Sequence, residues 1–177
     1  LPTHAYMGMS DAKCLDAQSG LESGIGTLLA GIKGINMISG AGMLNFESTQ
    51  SIQKLVIDNE ICGMTYRLLE GVAQRDSPIA YDLLGTLIAE KQLLDHEHTL
   101  KWFKNEHYLP SSVIDRGNAE DWLREGKQSI GERAAERAAA LIGSYPGRPL
   151  DPQVEKELTR IISRDREDGF LLPDTVQ

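Results

Sequence analysis

THAYMGMSDAKCLDAQSGLESGIGTLLAGIKGINMISGAGMLN, residues 3–45, carries the reading that decides the fold. PTHAYM (residues 2–7), which overlaps its start, reads as a short strand. An amphipathic helix is expected over about 15–32, where Leu21, Ile25, Leu28, Leu29 and Ile32 recur at helical spacing as one apolar stripe. Ala17, Gly20, Gly24, Thr27 and Gly31 fall on its flank, a small-residue strip that lets the helix lie close to a neighbour. Lys33-Gly34 ends it, and INMI (residues 35–38) is a second strand running into the glycine-rich SGAGMLN. Strand, helix, strand is a βαβ unit, and an apolar strand flanked by glycines suits a parallel sheet buried on both faces.

A third segment, 51–72, is helical and apolar on two sides. Ile52, Leu55, Val56, Cys62, Gly63 and Tyr66 lie on one, and Ile57, Ile61, Met64, Leu68 and Val72 on the other, the pattern of a sandwiched helix. Asp58-Asn59-Glu60 interrupts it, with Asn59 expected to turn inward and to need polar partners.

The remainder reads as helices. Ser77-Pro78 is an N-cap with proline at the first helical position, followed by a face of Ala80, Leu83, Leu84, Leu87 and Ile88. Residues 95–108 form another helix, stopped by Pro110. Asn118 caps a short helix holding Trp122, and Ser129 with Glu132 forms a capping box before the alanine-rich 133–142. Asp151-Pro152 opens the last helix, with Val154, Leu158, Ile161 and Ile162 on its buried side and Gly169 at its end. The fold class is therefore α/β, mostly helical, with residues 1–76 as two βα units and 77–177 as a helical extension.

Composition narrows the function classes. With 177 residues, 41% hydrophobic and 25% charged, the chain has the make-up of one folded domain. A formal charge of −8 without a basic block disfavours nucleic acid and anionic membrane surfaces as partners. No apolar run reaches the roughly 18 residues of a membrane span, and the first residues lack a signal-peptide pattern, so a cytoplasmic location is expected. Cys14 and Cys62 belong to no CxxC pair and are expected to be reduced core thiols.

The histidines do not make a metal site. His96 and His98 diverge by about 200° on a helix, and His107 lies about 16 Å from His96 along its axis. No zinc-type spacing occurs, and no metal is expected. Trp102, Phe103 and Trp122 are too scattered for a nucleic-acid stacking platform. SGAGMLN after a strand has two readings: a tight strand-to-helix turn, or a loop whose backbone N–H groups approach a ligand.

Three stretches resemble the trimethylamine methyltransferase family: SDAKCLDAQSGLESGIGTLLAGIKGINMISGAGML (10–44), KLVIDNEICGM (54–64) and HEHTLKWFKNEHYLPSSVIDR (96–116). The resemblance covers at least residues 1–142. It implies a (β/α)₈ barrel and the transfer of a methyl group from a tertiary or quaternary amine to the cobalt of a separate corrinoid protein, a step known from methanogenesis. A complete barrel takes about 250 residues, so this chain is expected to be the C-terminal portion, its last two βα units and a helical extension, inactive alone.

On that reading SGAGMLN leaves a late strand at the C-terminal mouth, where barrels bind ligands. The resemblance implies pyrrolysine just before the stretch matching Ser10-Asp11-Ala12-Lys13, and here that position is Met9. Methionine has no electrophilic imine, which points to the branch acting on quaternary amines such as glycine betaine. A quaternary nitrogen is already a leaving group, so the site need only hold the cation and align its methyl. Carboxylates and π-faces suit a cation.

The expected substrate-binding residues are Tyr6, Met9, Asp11, Gly40, Gly42, Asn45 and Glu47. No catalytic residue is assigned. The corrinoid (cobalamin) is expected on its partner protein rather than on this chain, and a cut barrel edge is expected to give a homo-oligomer or to pair with missing segments. The competing class is a non-catalytic helical interaction module.

Overall fold

The computed structural model describes residues 1–75, 81 and 83–164. The Ser77-Pro78 cap, Ala80 and the Gly169 stop lie outside them. Contacts divide the chain into two units, Leu1–Gly143 and Ser144–Gln177. The fold is mostly helical, and among the described residues its strands form two small sheets and no closed barrel.

Strand β1 (His4–Tyr6) pairs in parallel with β2 (Met37–Ser39), joined by helix α1 (Ala17–Ile32) as the βαβ reading requires. Asp16 caps α1 by accepting from the Ser19 N–H at 3.2 Å. The helix ends where Gly34 turns left-handed (φ 72°) and Ile35 N–H reaches back to Ala30 O. Neither strand has a second partner among the described residues, and their outer positions, such as Met37, remain exposed. The expected burial on both faces is therefore not met within this chain.

The apolar stripe of α1 does not face inward. Leu21, Ile25, Leu29 and Ile32 are 48–62% exposed, whereas Ser19, Ser23, Thr27 and Ala30 are buried. The inner face is the small, polar one because α1 lies very close to its neighbours. A Cβ on Gly26 would overlap the Met7 carbonyl, and one on Gly31 would meet Thr65 and Leu69 of the next helix, while Gly20 and Gly24 face open space.

Between β2 and the next helix the sequence suggests only a loop. The structure has a short antiparallel hairpin there, β3 (Met43–Leu44) with β4 (Thr49–Gln50). Ser51 then caps α2 (Ile52–Leu69) through the Lys54 N–H. α2 packs against α1 and against α6 (Ile130–Gly143), so it is sandwiched as expected. Its buried side chains, however, include Lys54, Asp58, Glu60 and Thr65, while Leu55, Tyr66 and Leu68 are exposed. The inward polar groups are Asp58 and Glu60, not the exposed Asn59 between them.

Among the described residues the apolar core cluster of this unit is small: Ile57, Val113 and Ala134, flanked by Leu15, Val56 and Ile61. Between α2 and α6 the chain forms α3 (Leu83–Glu90), α4 (Glu97–Glu106) and α5 (Ala119–Arg124), the last capped by Asn118. The Ser129–Glu132 capping box at α6 forms as expected. In the second unit, α7 (Pro152–Arg164) begins at Asp151, whose carboxylate accepts from the Gln153 N–H. Its apolar stripe, Val154, Leu158, Ile161 and Ile162, is 41–48% exposed rather than buried, because the described part of the unit holds a single helix.

Candidate functional site

Beyond β1 and β2 the two chain segments stay side by side. Gly8 N–H donates to Ser39 O (2.9 Å), Ser10 N–H to Met43 O (3.1 Å) and Asn45 N–H to Ala12 O (3.0 Å). This pairing brings five of the expected residues together: Met9 and Asp11 on one segment, Gly40, Gly42 and Asn45 on the other. Gly40 (φ 105°) lies against Met9, where a Cβ would stand 2.7 Å from the Met9 nitrogen.

Two expected residues stand apart. Tyr6 is half-exposed, with its ring edge-on to His4 at 5.1 Å. Glu47 sits on the exposed hairpin turn, where Asn45, Phe46 and Glu47 are all left-handed (φ 50°, 53° and 70°). Three consecutive non-glycine residues in that region are costly. Lys13 holds the turn from outside, its Nζ 4.6 Å from the Phe46 ring.

Beneath the paired segments lies a buried polar group that the sequence alone does not assign. Lys54 is 1% exposed, and its ammonium donates to Asp58 Oδ2 (2.6 Å), Ser23 Oγ (2.7 Å) and Gly8 O (3.3 Å). All three of its protons are thereby used. The same Asp58 oxygen accepts from Gly42 N–H at 2.7 Å, and Gly42 O accepts from Ser51 N–H at 2.8 Å. α2 therefore grips both backbone groups of Gly42, which is left-handed at φ 82°. Burial pushes the Asp58 carboxyl up, against the pull of the Gly42 N–H and the Lys54 ammonium. The available signal was the lysine–aspartate spacing of four on one helix face, which brings such a pair together.

On the other side of Met9, Glu22 Oε2 accepts from Ser10 Oγ (2.6 Å) and Asp11 N–H (2.8 Å). Those bonds, with one from Gln18, hold the Glu22 carboxyl below the usual range. Met9 is thus a half-buried side chain on a backbone clamped at both neighbours.

Further along α2, buried Glu60 accepts from Tyr108 Oη (2.7 Å) and Ser111 Oγ (2.6 Å). Burial, and then the Glu60 carboxylate, push the Tyr108 phenol up to about 12. It joins α2 to the segment after α4 and touches none of the expected site residues. The two cysteines are free, but Cys14 is exposed rather than in the core, and burial pushes the half-buried Cys62 thiol up. His96 caps α4, its Nδ1 accepting from the His98 N–H. Among the described residues no three His, Cys, Asp or Glu side chains converge as metal ligands, and no helix is long and apolar enough to cross a membrane.

Residues 1–169 match the family model described as trimethylamine methyltransferase (MTTB). The chain is 30% identical over 171 residues to the glycine betaine methyltransferase of Desulfitobacterium hafniense (strain Y51), covering 96% of this chain and 35% of that protein. To the trimethylamine methyltransferase MttB of Methanosarcina thermophila it is 32% identical over 161 residues, 89% of this chain and 32% of the relative. It spans about a third of the length of the curated relatives it matches. With the family's pattern running through the paired segments, α2 and the helices after it, the chain belongs to the trimethylamine methyltransferase family.

Proposed function

We propose that the protein carrying this chain moves a methyl group from a quaternary amine of the glycine betaine type to the corrinoid of a separate protein. The observation that carries this reading is the family match together with Met9, the residue at the pyrrolysine-like position, held after β1 against Gly40. The glycine betaine methyltransferase among the relatives supports the amine class.

In this reading residues 1–76 are the last two βα units of a (β/α)₈ barrel, residues 77–177 are its helical extension, and the segments 8–12 and 39–45 lie at the barrel mouth. The parallel β1–α1–β2 unit supports the barrel assignment, since such units build barrels. The corrinoid, when its partner brings it, supplies the Co(I) nucleophile. This chain's residues bind and orient the amine: Asp11 offers negative charge, Gly40, Gly42 and Asn45 a close backbone wall, and Met9 an apolar thioether against the methyl groups, while Tyr6 and Glu47, which stand apart, take no part in it here.

The chain alone is inactive in this reading, because the rest of the mouth lies on other segments. The protein works in the cytoplasm and self-associates, and the outward stripe of α1 supports an apolar association surface. Sedimentation giving a clean monomer at high concentration would count against self-association.

The test mixes the intact protein, a reduced corrinoid protein and a panel of amines, and follows methylation of the corrinoid by absorbance. Transfer from betaine-type donors is expected. Transfer from trimethylamine and from no quaternary amine would overturn the substrate class.

A further inference from the structure

We propose that Lys54 is a positioning residue: with Asp58 and Ser23 it locks the backbone at Gly8 and Met9 to the Gly42 turn, so that both segments face the amine as one rigid surface. This role rests on the proposed function, since the surface being held is its amine site.

The geometry carries the inference. One ammonium ties three elements, the segment after β1 through Gly8 O, α1 through Ser23 Oγ and α2 through Asp58. The Asp58 oxygen that neutralises it adds the fourth, through Gly42 N–H. Ser23 is 0% exposed and Lys54 1%, so these bonds are made out of water, where direction matters most. Ser23 Oγ also lies 3.1 Å from Gly8 O and 3.5 Å from Met9 O, so the whole bond network converges on the backbone preceding Ser10.

An apolar pair of similar volume would hold α1 to α2 at least as well, because removing two charges from water costs much of what their attraction returns. What it would not do is fix the two segments to each other. Hydrogen bonds at defined atoms do this, and displacement of a bound reactant by about 1 Å can cost about 100-fold in rate.

The experiment uses the intact protein and the double variant K54M/D58N, in which methionine fills the lysine's space and asparagine keeps an acceptor for Gly42 N–H. Amide exchange is followed at residues 8–12 and 39–45 and, as reference, in α6. Loss of the clamp is expected to speed exchange in both segments by about 10-fold, the factor of one lost hydrogen bond, and to leave α6 unchanged. With an active amine, kcat is expected to fall by about 100-fold with KM within about threefold. Ser23→Ala, which keeps the ion pair, is expected to move the same readouts by a smaller factor.

Unchanged exchange in both segments would overturn the proposal. So would loss of protection in α6 as large as in the segments, repeated in Ser23→Ala, since that marks a general scaffold role. Exchange needs no substrate, so a protein that demethylates no amine still reveals whether the clamp holds the segments, and only the kinetic arm falls with the amine reading.

Discussion

The interior of the first unit is built in two ways within a few residues of one helix. On the α1 side, α2 buries Lys54 and Asp58 against Ser23; on the α6 side it buries Ile57 against Val113 and Ala134. Apolar burial stabilises without direction, so it tolerates small shifts, whereas each polar bond names the atoms that must meet. The directional interior lies under the segments that hold Met9 and Gly42, and the forgiving one lies away from them. The division of labour is between fixing a surface and holding a helix.

Breaking the polar side at one partner should have the largest effect. Lys54→Met alone leaves the Asp58 carboxylate buried without its cation and should destabilise by about 3–5 kcal/mol, read by denaturant unfolding. K54M/D58N should recover much of that loss. Equal loss in both would show that the region responds to packing, as the apolar side does.

The apolar side comes next. Val113 is 0% exposed, and Val113→Ala removes two methyl groups and leaves a small cavity, at about 2–3 kcal/mol by the same measurement. Exchange at residues 8–12 should stay unchanged relative to α6, which sharpens the contrast with Lys54.

How much of this was legible follows from the same contrast. The βαβ start, the Asn118 cap, the Ser129–Glu132 box and the Asp151 start could be read because they depend on neighbours in sequence. On α1 the small-residue flank does come close, at Thr27 and Gly31 though not at Gly20 or Gly24; helical periodicity reports which side is apolar, not which side must come close. Close approach favoured Ser23, Gly26 and Ala30, and the apolar stripe was left outside. Asn59 was expected inside, one position off Asp58 and Glu60, because a charge counts as outward until a partner is known. Lys54 meets Gly8 from 46 residues away, a partner no local pattern reveals. The site residues divide by segment: those on the two paired strands' continuations converge, while Tyr6 and Glu47 do not join them.

Tyr108 offers a milder test. Tyr108→Phe removes a donor from buried Glu60 and should cost about 1–2 kcal/mol. The phenol's folded pKa of about 12 lies above its ordinary value of about 10, so its stabilisation is complete below about 10 and is lost as pH rises through about 12. An ultraviolet titration should find one of the five tyrosines ionising near 12, and Tyr108→Phe should abolish that step.

The smallest effect belongs to Glu22. Its carboxyl is held low chiefly by Ser10 Oγ, so its stabilisation is full above the ordinary carboxylate range and disappears as pH falls through the depressed value. Protection at residues 10–11, taken relative to the intrinsic exchange rate at each pH, should fall over that acid window in the native protein and stay level in Glu22→Gln.

The Lys54 ammonium also has a consequence for the order of folding. It reaches Ser23 across 31 residues and Gly8 across 46, and every partner sits on an element that must first be docked. Helices α1 and α2 form from local bonds in about a microsecond, but docking both of them, the segment after β1 and the Gly42 turn around one hydrated cation is a non-local step and slower. Stripping water from that cation therefore comes late, after both helices exist. Mutations at Lys54 should then speed unfolding more than they slow folding, which makes this charge a latch on the finished structure rather than part of its nucleus.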